Sequence, residues 1–390
     1  MLPEFATRMK AFEPGIFQVL NEEKEKLIKQ GRKVYNLSVG TPDFVTPQRI
    51  MDAVTKAAGD AGNYKYSLID IAPLRDALKK RYKDRYQVEI NDENLMSVYG
   101  SQEGMAHVAF AICNPGDVVL VPDPGYPIFS IGPSLCGAEI ETYPLLPEND
   151  YLPKLSEIPE DIVKRCKMII VSYPLNPICK CAPDSFYDEL IEWATQNDIL
   201  ILHDNAYSDI IYDGRVGKSI FSNKGAMEQA VEFYSLSKSY NYTGARMSFL
   251  VGNPRVIDVF RRFRSQIDYG TFLPVQYGAV AALSDGDREV KEQCMEYQKR
   301  RDALCGGLRS IGWPCEDSEG TMFVWTRIPS KFGDDDTGFV MELMNKTGLI
   351  CTPGSSFGKL GKGYVRFALV LPPKELSEAV ESVKTSGILD

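Results

Sequence analysis

The stretch VEFYSLSKSYNYTGAR, residues 231–246, places a lysine and an arginine just after an apolar run. The run at 231–236 is typical of a β-strand that is buried on both faces of a sheet. Lys238 follows the run directly, and Arg246 lies eight residues further on. Since lysine is rarely buried unless it is paired, Lys238 is either an ordinary solvated side chain or a functional one.

Four more apolar runs precede this stretch, and helical patterns separate them. The runs occupy residues 94–100, 117–122, 167–173 and 199–204, and helices are expected from Ser101, from Tyr126 and after Ala182. Repeated strand–helix units of this kind indicate a mostly parallel sheet covered by helices. The sequence therefore predicts an α/β domain.

The pattern changes after about residue 285. Residues 287–312 predict a long amphipathic helix that ends at a glycine, and apparent strands follow at 321–328 and 364–370. Helical stretches lie between and after these strands. This part of the chain therefore predicts a second domain of the α+β class.

We expect two domains, as the chain length also favours. A large α/β domain should span residues 46–284, and a smaller α+β domain should combine residues 1–45 with residues 285–390. The N-terminal helical pattern at 17–31 could pack with either domain.

The composition excludes two classes of partner. The 390 residues include 44 Lys and Arg against 53 Asp and Glu, which gives a formal net charge of −9 at pH 7. Since no long basic run is present, the chain lacks the electrostatic footprint of a nucleic-acid-binding protein. Its apolar runs are far shorter than the roughly 20 residues of a membrane-spanning helix. We expect neither nucleic acid nor a membrane as a partner.

The nine cysteines are odd in number and scattered, and the N-terminus MLPEFATRMK has no apolar signal-peptide core. This pattern favours reduced thiols in a cytoplasmic protein. Cys179 and Cys181 form a CKC motif, but a zinc site would need two more ligands. The two histidines, His107 and His203, lie in different segments. We therefore expect no metal site.

Polar residues cluster just after each apolar run, where ligands of parallel α/β sheets bind. These clusters lie at 100–104, 123–127, 176–177, 204–207 and 235–238. The first, GSQEG, would present the free N–H groups of a helix start to a phosphate. It matches neither the P-loop nor the dinucleotide-binding pattern. Taken singly, each cluster also has a purely structural explanation, as a helix cap, a turn or a solvated side chain, and for GSQEG alone the capped turn is favoured.

Taken together, these motifs resemble the class I pyridoxal-phosphate (PLP) aminotransferases of fold type I, over essentially the whole chain. Further motifs carry the likeness: SVGTPDFVTP at 38–47, HDNAYSDI at 203–210, PGSSFG at 353–358 and GYVRFAL at 363–369. The segments 146–162 and 203–214 are most similar to the LL-diaminopimelate aminotransferase-like branch, which also holds enzymes acting on alanine, aspartate or methionine. The resemblance implies a seven-stranded, mostly parallel sheet in the large domain.

The resemblance assigns roles around the cofactor, PLP. Lys238 matches the lysine that binds PLP covalently and then moves the proton at the substrate Cα, and Asp204 matches the acid that faces the pyridine nitrogen. Asn176 and Tyr207 match the donors to the phenolic oxygen, and Tyr126 matches the aromatic residue stacked on the ring. The implied catalytic set is Lys238, Asp204 and Tyr207. A lysine in this role must lose its proton, which burial and neighbouring cations favour.

Two further groups of residues are implied. The phosphate ligands match Ser101, Gln102, Ser235, Ser237 and Arg246, completed by a tyrosine from the partner subunit of a homodimer with shared active sites. That tyrosine matches Tyr66, with Tyr64 as the alternative.

The substrate α-carboxylate would be bound by Arg366, helped by the backbone of Gly40 and the amide of Asn176. A bidentate arginine suits a carboxylate, and it also fixes the orientation of the Cα–H bond.

The chain departs from the family pattern at two places. The usual Asn-Pro-Thr-Gly is here Asn-Pro-Ile-Cys, with Ile178 and Cys179 in place of threonine and glycine. This change puts the usual geometry of the turn in question. Asp70 stands where the family commonly has glycine, in the segment just before LRDAL.

The implied function is transfer of an amino group from an L-amino acid to a 2-oxo acid such as 2-oxoglutarate or pyruvate, in a ping-pong cycle. Diaminopimelate, alanine, aspartate and methionine remain open as donors. Gln102 stands where some acidic-substrate branches have lysine, so the sequence encodes no strong preference for aspartate there. The alternatives are a PLP-dependent C–S β-lyase, which would use the same lysine and aspartate, and a non-catalytic PLP-binding regulatory module.

Overall fold

The computed structural model describes residues 3–11, 16–284 and 287–390. The helices are α1 Ile16–Lys29, α2 Gln48–Ala58, α3 Ala72–Tyr86, α4 Ser101–Ile112, α5 Ile128–Leu135, α6 Glu160–Arg165, α7 Asp184–Gln196, α8 Ala226–Gln229, α9 Leu236–Ser239, α10 Pro254–Arg264, α11 Leu273–Ser284, α12 Arg288–Ser310, α13 Asp336–Thr347 and α14 Pro373–Thr385. The strands are β1 Tyr35–Asn36, β2 Leu95–Val98, β3 Val118–Asp123, β4 Glu139–Pro144, β5 Cys166–Val171, β6 Leu200–Asp204, β7 Ala230–Ser235, β8 Ser248–Gly252, β9 Phe323–Arg327, β10 Leu349–Ile350, β11 Thr352–Pro353 and β12 Tyr364–Ala368.

The chain divides into two compact units. The larger unit is Thr41–Lys299 with Ser318–Met322, and the smaller unit is Met1–Gly40 with Arg300–Asp317 and Phe323–Asp390. One division falls inside the continuous helix α12. The domain bounds expected from the sequence, 46–284 for one domain and 1–45 with 285–390 for the other, stay a prediction. The N-terminal helix α1, whose place the sequence left open, belongs to the smaller unit.

A seven-stranded sheet forms the centre of the larger unit, in the order β2-β8-β7-β6-β5-β3-β4. Strand β8 runs antiparallel to its neighbours β2 and β7, and the remaining pairs are parallel. Strands β2 to β7 therefore run in the same direction. The predicted α/β class with a mostly parallel sheet is confirmed. The five apolar runs correspond to β2, β3, β5, β6 and β7.

The apolar runs form strands because a sheet that is covered by helices on both faces buries almost every residue of its central strands. The six residues of β3 and the six of β7 are all buried, as a sheet covered on both faces requires. Strand β4 lies at the sheet edge, and most of its residues keep some exposure to solvent. Its sequence EIETYP is correspondingly polar.

The smaller unit contains a three-stranded antiparallel sheet, β11-β12-β9, and a parallel pair, β1-β10. The expected strands at 321–328 and 364–370 appear as β9 and β12, which pair with Arg366 opposite Trp325. The core of this unit includes an aromatic cluster. Trp313 makes edge-to-face contacts with Phe339 and Phe367, at ring-centroid distances of 5.3 and 5.8 Å.

Candidate active site

Five of the expected site residues follow strands that share one direction. Ser101 follows β2, Tyr126 follows β3, Asn176 follows β5, Asp204 ends β6 and Lys238 follows β7. The carboxyl ends of co-directional strands meet at one edge of a sheet, so the topology brings these residues to the same edge. Two hydrogen bonds join neighbouring strand ends here: Ser172 Oγ donates to Asp204 O (2.8 Å), and Asn205 N donates to Phe233 O (3.0 Å).

Asp204 holds a buried carboxylate at this edge. The residue is only 6% exposed, and its Oδ1 atom has no hydrogen-bond partner within the described residues. Burial raises the pKa of the Asp204 carboxyl to about 6, although the neighbouring His203 and the backbone N–H of Ala206 act to lower that pKa. A carboxylate of this kind is poised to bind a buried cation or N–H donor.

Lys238 lies on the four-residue helix α9, immediately beyond β7, and is partly buried. Its backbone carbonyl accepts a hydrogen bond from Gln293 Nε2 (2.8 Å), and Gln293 Oε1 accepts one from Asn241 Nδ2 (2.7 Å). The main chain around the lysine is therefore anchored just beyond the end of β7.

The start of α4 forms a corner whose groups suit an anion. The hydroxyl of Ser101 is buried and has no partner in the part of the chain that the structure describes. Gly100 has a φ of 84°, and a Cβ atom there would lie 2.8 Å from Cζ of Arg246, so the guanidinium rests against this backbone because residue 100 is glycine. The N-terminus of α4, the hydroxyl of Ser101 and the guanidinium of Arg246 together suit a phosphate.

Two expected phosphate ligands that precede Lys238 in the chain are also buried. Ser235 Oγ accepts hydrogen bonds from Ser237 N (3.2 Å) and from Ser248 Oγ (2.9 Å). Since both acceptor positions of Ser235 are taken, its hydroxyl hydrogen remains for an incoming anion. Arg246 Nη1 donates to Thr243 O (2.9 Å), and Thr243 Oγ1 donates to Ser237 O (3.0 Å), which ties the arginine to the serine loop.

Three more residues are expected beside the cofactor ring: Asn176, Tyr207 and Tyr126. Asn176 and Tyr207 are buried, at 5% and 8% exposure. The hydroxyl of Tyr126 donates to Oε1 of Gln102 (3.3 Å), which connects the residue after β3 with the first turn of α4.

The departure at Ile178 and Cys179 keeps a tight turn. Cys179 adopts a φ of 68°, a left-handed conformation that the usual glycine would take without strain. The buried Cys179 Sγ accepts a hydrogen bond from Thr321 Oγ1 (3.2 Å), and its carbonyl accepts bonds from the N–H groups of Glu319 (3.0 Å) and Gly320 (3.2 Å). These contacts stabilise the turn around the larger side chain.

Arg366 and Gly40 lie in the smaller unit, where both contact Phe323. The Arg366 guanidinium lies 4.1 Å from the ring centroid of Phe323 and 4.7 Å from that of Phe357. Its Nη2 donates to Ser38 O (3.0 Å). A Cβ atom at Gly40 would overlap the Phe323 ring. Two aromatic faces therefore hold this 4%-exposed guanidinium in place.

Tyr66 lies on the surface of the larger unit and is 76% exposed. Its ring packs on Tyr269 at a centroid distance of 4.9 Å, and its hydroxyl has no bonding partner in residues 3–11, 16–284 and 287–390. Tyr64, the alternative, donates its hydroxyl to Ala58 O (2.9 Å). Of the two, Tyr66 has the hydroxyl that remains available to another molecule.

The second departure, Asp70, has a structural role that the sequence did not show. Its carboxylate accepts hydrogen bonds from Ser97 N (2.7 Å) and Ser97 Oγ (2.5 Å) on β2. The segment that carries Tyr66 is thereby fastened to the sheet.

The sequence patterns did not indicate a buried ionic cluster that lies next to α9. Asp209 accepts two bonds from Arg81 Nη2 (2.7 and 2.8 Å) and contacts Arg85 Nη2 (2.9 Å). The only available signal was the spacing of two arginines four residues apart, which is equally typical of a solvated helix face.

The described segments contain no cluster of three or more His, Cys, Asp or Glu side chains that could bind a metal ion. None of the helices that the structure describes is both long and apolar enough to span a bilayer.

The residues present fit PLP. This cofactor combines an aldehyde, a ring nitrogen that is protonated when active, and a phosphate dianion. The unpartnered Oδ1 of Asp204 suits the ring N–H, the free hydroxyl of Ser101 and the guanidinium of Arg246 suit the phosphate, and Lys238 suits the aldehyde. The individual roles stay predictions.

Comparison with known proteins identifies the family. The model for aminotransferase class I and II matches residues 32–383. The LL-diaminopimelate aminotransferase of Halothermothrix orenii is 38% identical over 387 residues, which cover 99% of each chain. The substrate-bound BacF structure from Bacillus subtilis matches with a TM-score of 0.94 at 30% identity and 98% coverage of both chains. A probable N-succinyldiaminopimelate aminotransferase from Thermus thermophilus matches with a TM-score of 0.90 at 30% identity, covering 95% of this chain and 100% of its own. This chain therefore belongs to the class I and II aminotransferases and is a PLP-dependent amino-acid aminotransferase.

Proposed function

We propose that the protein transfers an amino group from LL-diaminopimelate to a 2-oxo acid such as 2-oxoglutarate. The name of the Halothermothrix orenii relative and that of the Thermus thermophilus structure both specify a diaminopimelate-type substrate. The neutral Gln102 at the start of α4 offers no fixed positive charge to a short acidic side chain such as that of aspartate.

The observation that carries the reaction type is a buried, unpartnered carboxylate oxygen on Asp204, at the sheet edge that also carries Lys238. Bound PLP supplies an electron sink for the negative charge that develops at the substrate Cα. Asp204 keeps the ring nitrogen protonated, and Lys238 removes and returns the proton at Cα. Arg366 binds the α-carboxylate, and Tyr126 covers the ring face.

The substrate proposal is tested with a panel of amino donors: LL-diaminopimelate, meso-diaminopimelate, L-aspartate, L-alanine and L-methionine. Each donor is offered with 2-oxoglutarate and with pyruvate. We expect the highest kcat/KM for LL-diaminopimelate. A higher kcat/KM for any other member would contradict the proposed donor, while leaving the aminotransferase activity intact. Release of pyruvate and ammonia from a β-substituted amino acid without any 2-oxo acid would instead indicate a β-lyase.

We also propose a homodimer with shared active sites. An exposed apolar surface surrounds the loop that carries Tyr66, and a second copy of this chain would cover it. Its members are between 43% and 76% exposed: Tyr64, Tyr66, Leu68, Ile69, Tyr269 and Phe272. Sedimentation velocity should show a dimer. A monomer at micromolar concentration would contradict this proposal.

The sharing of the two sites is tested by mixing subunits. Tyr66→Phe and Lys238→Ala subunits, combined as verified heterodimers, should regain activity at the site that carries neither change. No gain in such heterodimers would contradict the sharing of the two sites.

A cytoplasmic location is proposed from the thiols. The nine cysteines, all of them among the described residues, form no disulfide bond, which is typical of proteins from a reducing compartment. Fractionation of source cells should place the activity with cytoplasmic marker enzymes, and activity in a secreted or periplasmic fraction would contradict this location.

A further inference from the structure

A buried ionic cluster lies directly against the segment that carries Lys238. At its centre is Asp209, whose side chain is fully buried. Arg81 and Arg85, one helical turn apart on α3, both contact this carboxylate. Burial alone would raise the pKa of the Asp209 carboxyl, but the two guanidinium groups and hydrogen bonds from Ser239 and Tyr234 hold it below its usual value. Asp209 is therefore an ionised acceptor at neutral pH.

The partners of this cluster flank the lysine on both sides. Tyr234, near the end of β7, donates its hydroxyl to Asp209 Oδ2 (3.1 Å). Ser239, the residue after Lys238, donates its hydroxyl to the same carboxylate. Tyr240, the next residue, accepts a hydrogen bond from Arg81 Nη1 (3.1 Å). Three side chains within four positions of the lysine are thus tied to one ion pair.

Asp209 also belongs to the segment that carries the other catalytic candidates. Its sequence neighbour Ile210 donates a backbone hydrogen bond to Tyr207 O (2.9 Å), and Asp204 lies five residues upstream. Removing one partner of a buried ion pair leaves the other charge uncompensated, which is strongly unfavourable, so the contacts of Asp209 are costly to break. It can therefore fix two loops relative to each other.

We propose that Asp209 is a positioning residue, whose carboxylate holds the segment bearing Lys238 in register with the segment bearing Asp204 and Tyr207. This inference rests on the proposed role of Lys238. Small displacements of a proton-transferring group from its best geometry reduce turnover far more than they reduce substrate binding. Loss of the Asp209 contacts should therefore lower kcat and leave KM nearly unchanged.

The test uses the full-length, PLP-loaded protein. Asp209→Asn should lower kcat about tenfold or more, with the KM for the amino donor changed less than about twofold. The rate at which apoprotein regains its visible absorption band after addition of PLP should fall as well. The control is Ile191→Ala, which should lower stability because Ile191 is buried, and which lies on α7, a helix that carries none of the cluster residues.

A second variant tests the proposal even if Asp209→Asn does not fold. Ser239→Ala with Tyr240→Phe removes the two hydroxyl groups beside Lys238 and leaves the ion pairs in place. It should lower kcat several-fold, again at nearly constant KM. If this double variant keeps wild-type kcat, or if Asp209→Asn behaves like Ile191→Ala in kcat, KM and PLP uptake, the positioning role is refuted.

The same samples separate this inference from the proposed site. Borohydride reduction followed by peptide mass spectrometry locates the lysine that carries PLP. Attachment to a lysine other than Lys238 would overturn both the proposed site and the role of Asp209. Attachment to Lys238 together with unchanged kcat in Asp209→Asn would overturn the role of Asp209 alone.

Discussion

Replacing Asp204 by asparagine should change how the stability of the PLP-free protein depends on pH. Burial raises the pKa of the Asp204 carboxyl from 3.8 to about 6, and its Oδ1 has no partner in the described chain. The folded protein therefore binds this proton more tightly than the unfolded chain does. The stabilising effect of the bound proton is complete below about pH 4 and is lost as the pH rises through 6.

The size of this effect follows from the two pKa values. Each unit of pKa corresponds to about 1.4 kcal/mol, so ionised Asp204 lowers the free energy of unfolding by about 3 kcal/mol at neutral pH and above. Between pH 4.5 and pH 7.5 the change is about 2 kcal/mol, because part of the loss occurs below pH 4.5. Asparagine does not titrate, so Asp204→Asn removes this dependence whatever its own constant effect on stability.

The assay is urea unfolding of the two PLP-free proteins at several pH values between 4.5 and 7.5. The free energy of unfolding of the wild type minus that of Asp204→Asn should fall by about 2 kcal/mol over this range. With PLP bound, the fall should disappear, because the protonated ring nitrogen supplies the missing partner of the carboxylate. A difference that stays constant within about 0.5 kcal/mol in the PLP-free proteins would refute the assignment of a raised pKa to Asp204.

Three further predictions concern the other site residues. Lys238→Ala should abolish turnover and covalent attachment of PLP, checked by absorbance and intact mass, whereas wild-type transamination would contradict its role. Arg366→Ala should raise KM for amino and oxo substrates alike, about 10-fold or more, while PLP binding survives; damage confined to one substrate would point to a side-chain contact instead. Tyr66→Phe should weaken PLP retention in an equilibrium dialysis assay, and Tyr64→Phe, the matched control, should leave retention unchanged. Equal effects of the two changes would reject Tyr66.

The sequence predicted β2, β3, β5, β6 and β7, because strands that are buried on both faces are continuous apolar runs. It did not place β4, a polar edge strand, or β8, which is apolar and buried but was not singled out as a run. The family and the aminotransferase activity are confirmed by comparison. Lys238 and Asp204 could be identified from the sequence because each stands at the end of an apolar run. The motifs around them also resemble those of the aminotransferase family.

Contacts between distant segments could not be predicted in this way. Asp209 and Arg81 are 128 positions apart, and no local pattern records that they meet. Asp70 was recognised as a departure from the family pattern, but its bonds to Ser97 depend on how a loop packs against β2. Similarly, Cys179 was seen to replace glycine, and only the folded chain shows which backbone conformation it adopts there.

The close approach of Arg246 to Gly100 has a consequence for protein engineering. Any side chain at position 100 would have to adopt a φ near 84° and would displace the guanidinium from the start of α4. A library aimed at changing substrate preference should therefore keep glycine at position 100. It can vary Gln102, which is exposed and lies in the same turn, if each variant is also checked for PLP retention, because Gln102 is itself an expected phosphate ligand. If Arg246 binds the cofactor phosphate as proposed, variation at residue 100 should enrich the library in proteins with weakened PLP binding, however well their substrate pockets were redesigned.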